Sequence, residues 1–561
     1  LVCIGEVMMD GNWLPWLGTV LAAAVLAPRL RRRLQLSRAK HRSLAGHSRM
    51  AKRLAGLLPG FAYGEERFFS ADDAPAEVVG RRREGFQRLA RDLADRHPLS
   101  IARTDLAAGR ISDVQFTRAY RVPFPFSRHL REHLKLGGFA EATQGVTLTD
   151  LDGQRFYDLT GSYGVNVFGH DFYKECIAEG AEQARQLGPI LGTYHACVAG
   201  NAERLCQISG GDEVSFHMSG TEAVMQAVRV ARYHTRRKYL VRFCGAYHGW
   251  WDDVQPGPGN PVSPSHTYTL KDLEPRTLAV LRSRDDIACV LVNPIQALHP
   301  NVAAPSDGAL VAGGRSAGFD REAYSAWLRQ LREVCTARGI VLILDEVFLG
   351  FRLAPGGAQE YFGVKADLVT YGKTVAGGLP IGVVCGRRDL MRRYREDRPA
   401  DICFARGTFN AHPYVMTTMR AFLEKLDSPA VRSAYQGQEE RWRARADQLN
   451  RSLGEADLPV RVAHLSSVWT VCYPTPSRYH WMFQFYLRQA GLALSWVGTG
   501  RLIFSLNYTD ADFAEVSARF VRAAQAMKRD GWWWHHPDAT NGRIRRAIFR
   551  EAFRQLLPSR R

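Results

Sequence analysis

The run Gly339-Ile-Val-Leu-Ile-Leu-Asp-Glu-Val347 constrains the fold more than any other stretch of this chain. From Ile340 to Leu344 it is continuously apolar, and it then ends in two acids. That pattern describes a parallel strand buried on both faces, with polar groups at the carboxyl end, where ligands collect in open α/β sheets. Strands such as Cys289 to Val292 alternate with helical patterns such as Arg321 to Arg338, which predicts a parallel sheet covered by helices. Downstream, Leu368-Val-Thr-Tyr-Gly-Lys-Thr-Val-Ala-Gly-Gly-Leu-Pro380 sets Lys373 among glycines that allow close backbone approach. An amine there suits an imine with an aldehyde cofactor, and Asp345 suits a protonated pyridine nitrogen. A surface lysine and a strand-capping acid are the plainer alternative.

Other motifs add to this pair. In Met218-Ser-Gly-Thr-Glu-Ala-Val-Met-Gln-Ala-Val-Arg-Val-Ala-Arg232, Ser219, Gly220 and Thr221 open a helix whose N–H groups and positive end suit a phosphate. Ala223, Ala227, Val230 and Ala231 give that helix an apolar face. Phe243-Cys-Gly-Ala-Tyr-His-Gly249, the segment Gly350 to Leu368, Gly377-Gly-Leu-Pro-Ile-Gly-Val383 and Gly407-Thr-Phe-Asn-Ala-His-Pro413 follow. In this order, from about Gly137 to about Arg529, the motifs resemble those of class III aminotransferases, most closely the glutamate-1-semialdehyde aminomutase branch.

The resemblance implies the α/β architecture of fold type I pyridoxal-phosphate transferases, with a large, mostly parallel sheet covered by helices and a small α+β domain. It implies pyridoxal 5'-phosphate held by Lys373 as a Schiff base, with Lys373 then serving as acid and base and Asp345 keeping the ring nitrogen protonated. Tyr247 and Val347 would pack on the two ring faces, beside His248, while Ser219, Gly220, Thr221 and Thr408 fix the phosphate. Because the family's matching threonine reaches the neighbouring subunit, Thr408 implies a homodimer with shared active sites. Tyr163, in Gly161-Ser-Tyr-Gly164, takes the place of an aromatic that contacts substrate, and Arg501 that of an arginine binding a donor carboxylate. A core tyrosine and a strand-edge arginine are the alternatives.

Two departures bear on the substrate. Asn293 stands where the family usually has a glutamate, and Phe348 where many members carry glutamine. Both shift the site away from compact charged substrates, so the expected acceptor is a lipophilic aldehyde or ketone of specialised metabolism. An extended N-terminal region before such a core is also similar to the aminotransferases of prodigiosin-type pigment pathways, which aminate an alkyl ketoaldehyde. An intramolecular aminomutase acting on a small semialdehyde remains open, as does an inert membrane-associated protein of the same fold.

The chain has 561 residues, and the expected division is 1–62 as a basic, apolar N-terminal segment and 63–136 as a helical extension and connector. Residues 137–189 begin the small domain, 190–430 form the cofactor domain, 431–530 complete the small domain and 531–561 form a basic amphipathic tail. Trp13 to Pro28 is uncharged and apolar, and seven basic residues between Arg29 and Arg42 follow without an acid. A signal peptide has its charges first, and this apolar stretch falls short of the roughly 20 residues that span hydrocarbon. Attachment to the cytoplasmic face of a membrane is expected, with 44–62 as an interfacial helix and Trp532, Trp533 and Trp534 at a headgroup boundary. Gly85 to His97 reads as a short amphipathic helix, and Tyr120 to Phe126 as an extended connector. The formal charge of +19 is concentrated toward the ends and comes with no nucleic-acid motif, so no nucleic-acid partner is expected. Ten scattered cysteines form no Cys-x-x-Cys pair, which predicts no metal site and a reducing, cytoplasmic setting.

Overall fold

The computed structural model describes residues 13–41, 46–295, 318–494 and 500–555, so the ends of both terminal segments lie outside it. Seven helices precede the first strand: α1 (Trp13–Ala39), α2 (Ser48–Leu57), α3 (Glu65–Ser70), α4 (Ala76–Arg96), α5 (Pro98–Ala108), α6 (Ser112–Tyr120) and α7 (Phe124–His133). Three expectations change here. The helix expected to begin at Gly85 starts at Ala76, because Arg82 in its charged run is fully buried instead of solvated. Its guanidinium donates to both Asp72 carboxylate oxygens at 2.7 and 2.8 Å and lies 4.4 Å from the centre of the Tyr479 ring. The expected extended connector turns into α7 at Phe124; Pro125 is tolerated because the first helical turn needs no N–H donor from it. Trp532 and Trp533 are buried within the chain, so they do not sit at a headgroup boundary.

The helix α1 continues through Pro28, and its C-terminal end is anchored. Gln35 Nε2 donates to the Ala279 carbonyl at 3.1 Å, and Lys271 N donates to the Ala39 carbonyl at 3.0 Å. Val20, Leu21, Leu26 and Leu30 remain exposed. Arginines interrupt the apolar run inside the same helix, and among the described residues no helix is long and apolar enough to cross a membrane.

The C-terminal helix Asn541–Arg554 is held through Glu551, which accepts from Arg478 and Arg67, each at 2.9 Å, and from the Tyr63 hydroxyl. Burial alone would raise this carboxyl, but hydrogen bonds and charge from Arg478, Tyr63 and Arg67 outweigh it and bring it from 4.5 to about 2. A depressed carboxyl stabilises fully above its unfolded value and loses that contribution as pH falls toward the folded one. Glu551→Gln is therefore expected to cost about 2 kcal/mol at neutral pH, with a much smaller difference in acid, as measured by urea unfolding.

A seven-stranded sheet forms the centre, in the order β4-β10-β9-β8-β7-β5-β6. Its strands are β4 (Glu213–His217), β5 (Tyr239–Phe243), β6 (Thr267–Leu270), β7 (Ile287–Val292), β8 (Val341–Asp345), β9 (Leu368–Gly372) and β10 (Gly382–Gly386). All pairings are parallel except those of β10, which runs against β9 and β4. In β8, Val341 and Ile343 enter one core cluster and Leu342 and Leu344 another, as alternation in a doubly covered strand requires. A second sheet joins β1 (Ala142–Gln144), β2 (Thr147–Thr149) and β3 (Arg155–Asp158) to β13 (Leu492–Ala493), from opposite sides of the central sheet in sequence. The third combines β11 (Arg461–Leu465), β12 (Val468–Cys472) and β14 (Arg501–Ile503). The cysteines among the described residues are free thiols.

Candidate active site

The carboxyl ends of β5, β7, β8 and β9 lie along one edge of the central sheet, and the chemistry-bearing residues gather there. Asp345, the last residue of β8, is buried. Its Oδ2 accepts from His248 Nδ1 at 2.7 Å, while Oδ1 accepts from Val347 N at 3.1 Å and from the Thr370 hydroxyl at 3.3 Å. Burial lowers the His248 pKa more than Asp345 raises it, with Arg242 adding to the depression. Nδ1 is the nitrogen that donates to the carboxylate, and among the described residues the buried Nε2 has no hydrogen-bond partner.

Lys373 follows Gly372, the last residue of β9, and begins a single helical turn to Ala376. Its φ of +49° lies in the left-handed region, which costs a non-glycine residue energy and fixes the direction in which the side chain leaves the strand. Burial lowers the amine pKa, partly offset by the charge of Asp345. The amine is thus shifted toward its free-base form in the field of that carboxylate.

The helix α10 (Gly220–Thr235) supplies the third element. Ser219 caps it, its hydroxyl accepting from Glu222 N at 3.2 Å, while Glu222 Oε2 accepts from Met218 N at 2.9 Å. Gly220 has no room for a side chain: a Cβ there would lie 2.6 Å from Val347 Cγ1. A Cβ on Gly372 would stand 3.2 Å from the same atom and 3.6 Å from Gly220 Cα. The helix start, Val347 and the residue before Lys373 therefore meet at one point. Gly249, at φ +90°, lies so close to Thr221 that its Cβ would be 2.5 Å from the hydroxyl, which brings the Tyr247–His248 turn over the same helix start. Tyr247 is largely exposed, and its carbonyl accepts from the buried Asn293 side chain at 3.2 Å.

Phe348 lies against the Gly161–Gly164 turn, where a Cβ on Gly164 would be 2.5 Å from its ring. Tyr163, in that turn at φ +57°, is half exposed. Buried Arg352 fastens the turn by donating to the Gly164 and Asn166 carbonyls at 3.3 and 3.1 Å and to Phe504 O at 2.7 Å. Arg501 opens β14, partly exposed, opposite Thr470. Thr408 is exposed in a turn beside the exposed Phe409.

Thr370 and Arg352 were missed at the level of sequence. A threonine inside an otherwise apolar strand was the available signal for Thr370, which pairs in register with Asp345. Arg352 carried none. Glu346 turns away from the site to accept from Ala358 N and Gln359 N, at 2.6 and 3.1 Å. The donor set fits a phosphorylated aromatic aldehyde: an amine shifted toward free base, a carboxylate for a ring nitrogen, and a helix start kept open by glycine.

The family model described as "Aminotransferase class-III" matches residues 131–524. Among curated proteins, the chain is 33% identical to a glutamate-1-semialdehyde 2,1-aminomutase of Hyperthermus butylicus over 359 residues, covering 64% of this chain and 78% of that protein. The Myxococcus xanthus protein of the same name is 32% identical over 383 residues, covering 64% and 83%. Among solved structures, a transaminase with PLP bound matches with a TM-score of 0.61 at 26% identity, covering 76% of this chain and 97% of that one. A Pseudomonas aeruginosa glutamate-1-semialdehyde aminomutase matches in fold, with a TM-score of 0.64 at 18% identity, covering 80% and 99%.

Proposed function

This chain belongs to the class III aminotransferases, enzymes dependent on pyridoxal phosphate, and from that premise we propose that it moves an amino group from an amino donor to a lipophilic aldehyde or ketone. The observation that carries the reading is the convergence of Lys373, the Asp345–His248 pair and the start of α10, beside an apolar wall made by Phe348.

Bound there, pyridoxal phosphate supplies a carbonyl that condenses with primary amines and a protonated ring that accepts electron density. Lys373 Nζ would hold the cofactor and, as a buried amine shifted toward free base, would serve as the acid and base that moves a proton at the substrate carbon. Asp345 keeps a proton on the ring nitrogen, and His248, donating through Nδ1, orients that carboxylate. Val347 and Tyr247 would pack against the two faces of the cofactor's ring. Ser219, Gly220 and Thr221 would hold the phosphate at the positive end of α10, joined by Thr408 of the partner subunit in a homodimer. Phe348 and Tyr163 line the acceptor side. Asn293, buried and bonded to Tyr247 O, puts an amide where the family usually has a carboxylate.

A donor and acceptor screen by mass spectrometry tests this, with aldehydes of increasing chain length. Turnover that rises with alkyl length supports the reading, and turnover confined to short charged carbonyls defeats it. The aminomutase reading is favoured by the names of the relatives. It predicts conversion of an amino semialdehyde without any added donor.

We further propose that α1 lies on an anionic membrane at the cytoplasmic face. Exposed Val20, Leu21 and Leu26 precede its arginines on the same helix, and exposed Leu30 lies between Arg29 and Arg31, an order that suits acyl chains beside headgroups. Flotation with anionic but not neutral vesicles, lost on deleting residues 13–39, is the expected result; a full-length protein that never floats rules attachment out.

A further inference from the structure

Lys373 opens a single turn, Lys373–Ala376, from a left-handed backbone position, and such a position persists only where the surroundings over-determine it. Thr374, the next residue, is buried, and its hydroxyl lies 2.5 Å from the hydroxyl of Tyr173. Tyr173 comes from the first turn of α8 (His170–Ala184) and is itself buried. The same Tyr173 oxygen accepts from Val167 N at 2.9 Å. One buried phenol therefore bridges the residue after Lys373 to the segment that follows the Gly161–Gly164 turn.

The two bridged pieces lie far apart in the chain, and both carry non-glycine residues in the left-handed region. Ser162 and Tyr163 stand at φ +45° and +57°, and Lys373 at +49°. The Val167 carbonyl accepts from Leu506 N at 2.7 Å, and Arg352 holds the Gly164 and Asn166 carbonyls, so the segment that Tyr173 grips is firmly placed. The chain beyond Lys373 also closes tightly on its neighbours. A Cβ on Gly377 would lie 3.2 Å from Cys176 Cβ of α8, and one on Gly378 would lie 3.0 Å from Val165 Cγ1. Within this packing the Tyr173 hydroxyl is a directional, polar link to the residue beside Lys373.

We propose that Tyr173 is a positioning residue: through Thr374 it fixes the backbone of Lys373, and through Val167 it ties that position to the turn carrying Tyr163. The inference rests on the amino-transfer reading above. Removing the hydroxyl deprives Val167 N and the Thr374 hydroxyl of a buried partner. It also frees Lys373 to relax toward the right-handed region, which changes the direction in which its side chain leaves β9. Displacing a reacting group by an ångström is enough to cost about 10²-fold in rate, so even a partial relaxation is measurable.

The test uses the full-length holoenzyme with Tyr173→Phe, Thr374→Val and Thr374→Ser, reading kcat, donor KM and the pH at which the visible band of the lysine-bound cofactor changes. Tyr173→Phe and Thr374→Val are each expected to lower kcat by about 10-fold while the donor KM stays within about twofold. Each should also move the midpoint of the band by about half a pH unit or more, because the lysine nitrogen shifts in the field of Asp345. Thr374→Ser keeps the oxygen and should retain the wild-type kcat and midpoint. The double variant Tyr173→Phe, Thr374→Val should lose no more than either single one, since both remove the same contact. Lower melting temperatures with kcat and midpoint unchanged, or losses that add in the double variant, overturn the proposal. Should Tyr173→Phe fail to fold, Thr374→Val against Thr374→Ser decides the matter by the same readings. A wild type that transfers from no donor, with a midpoint that moves in Thr374→Val and not in Thr374→Ser, upholds the positioning role and defeats the amino-transfer reading.

Discussion

Lys373→Ala is expected to lower amino transfer by at least about a thousandfold, since on the proposed mechanism the substitution removes both the cofactor's anchor and the base that moves its proton. The protein should still fold. The native pKa of Lys373 lies below its ordinary 10.5, so protonating the amine costs folding free energy. The sign follows from linkage: that cost is full below the folded pKa and disappears above the unfolded one. Removing the amine therefore relieves a penalty at neutral pH, and the cofactor-free variant should melt no lower than wild type. Purified wild-type protein should be yellow and lose its colour with a good donor, whereas the variant should lack the absorption band of a covalent imine. A small primary amine should restore part of the rate by acting in the vacated space. Turnover by Lys373→Ala at the wild-type rate would remove the basis of the mechanism.

The second large effect is expected at Asp345. Asp345→Asn should lower the rate by about 10²- to 10³-fold, because on the proposed mechanism this buried acceptor would no longer carry the charge that holds a proton on the ring nitrogen. Asp345→Ala should add a loss of about 3 kcal/mol in stability, since it strands His248 Nδ1, Val347 N and the Thr370 hydroxyl away from water. Comparing the two separates charge from hydrogen bonding: the Asn variant should fall in rate while nearly keeping its melting temperature. His248→Phe should act through position, weakening the rate less than Asp345→Asn and leaving the form of the pH profile intact. An Asn variant with the activity of wild type would show that the ring proton is held by something else.

Much of the site was legible because each part rests on contiguous residues. The apolar run into Asp345 specifies a buried strand by its own composition, and Ser219 announces a helix start by its position before Gly220 and Glu222. Gly220 and Gly249 are required by close approach, which shows in sequence only as glycine beside a motif. The extension was read less well. The helix was expected to begin only at Gly85, and only the folded chain shows that Asp72 and the Tyr479 ring make burial of Arg82 tolerable. The tryptophans near the end looked interfacial for the same reason: hydrophobicity says that a ring avoids water, not whether lipid or protein covers it. Here Trp532 meets Tyr479 at 5.2 Å and donates to Tyr486 at 2.9 Å.

By itself, then, the sequence determined the central sheet, the order of the family motifs and the places of Asp345 at the end of β8 and Lys373 just after β9, since strand burial, helix capping and turn geometry depend on near neighbours. Only the tertiary structure decided which charges are buried and what they face. Glu551 finds Arg67 and Arg478 through contacts between residues far apart in the chain. The energy of a buried charge is set by its partner and its desolvation, and neither is written in the residues beside it.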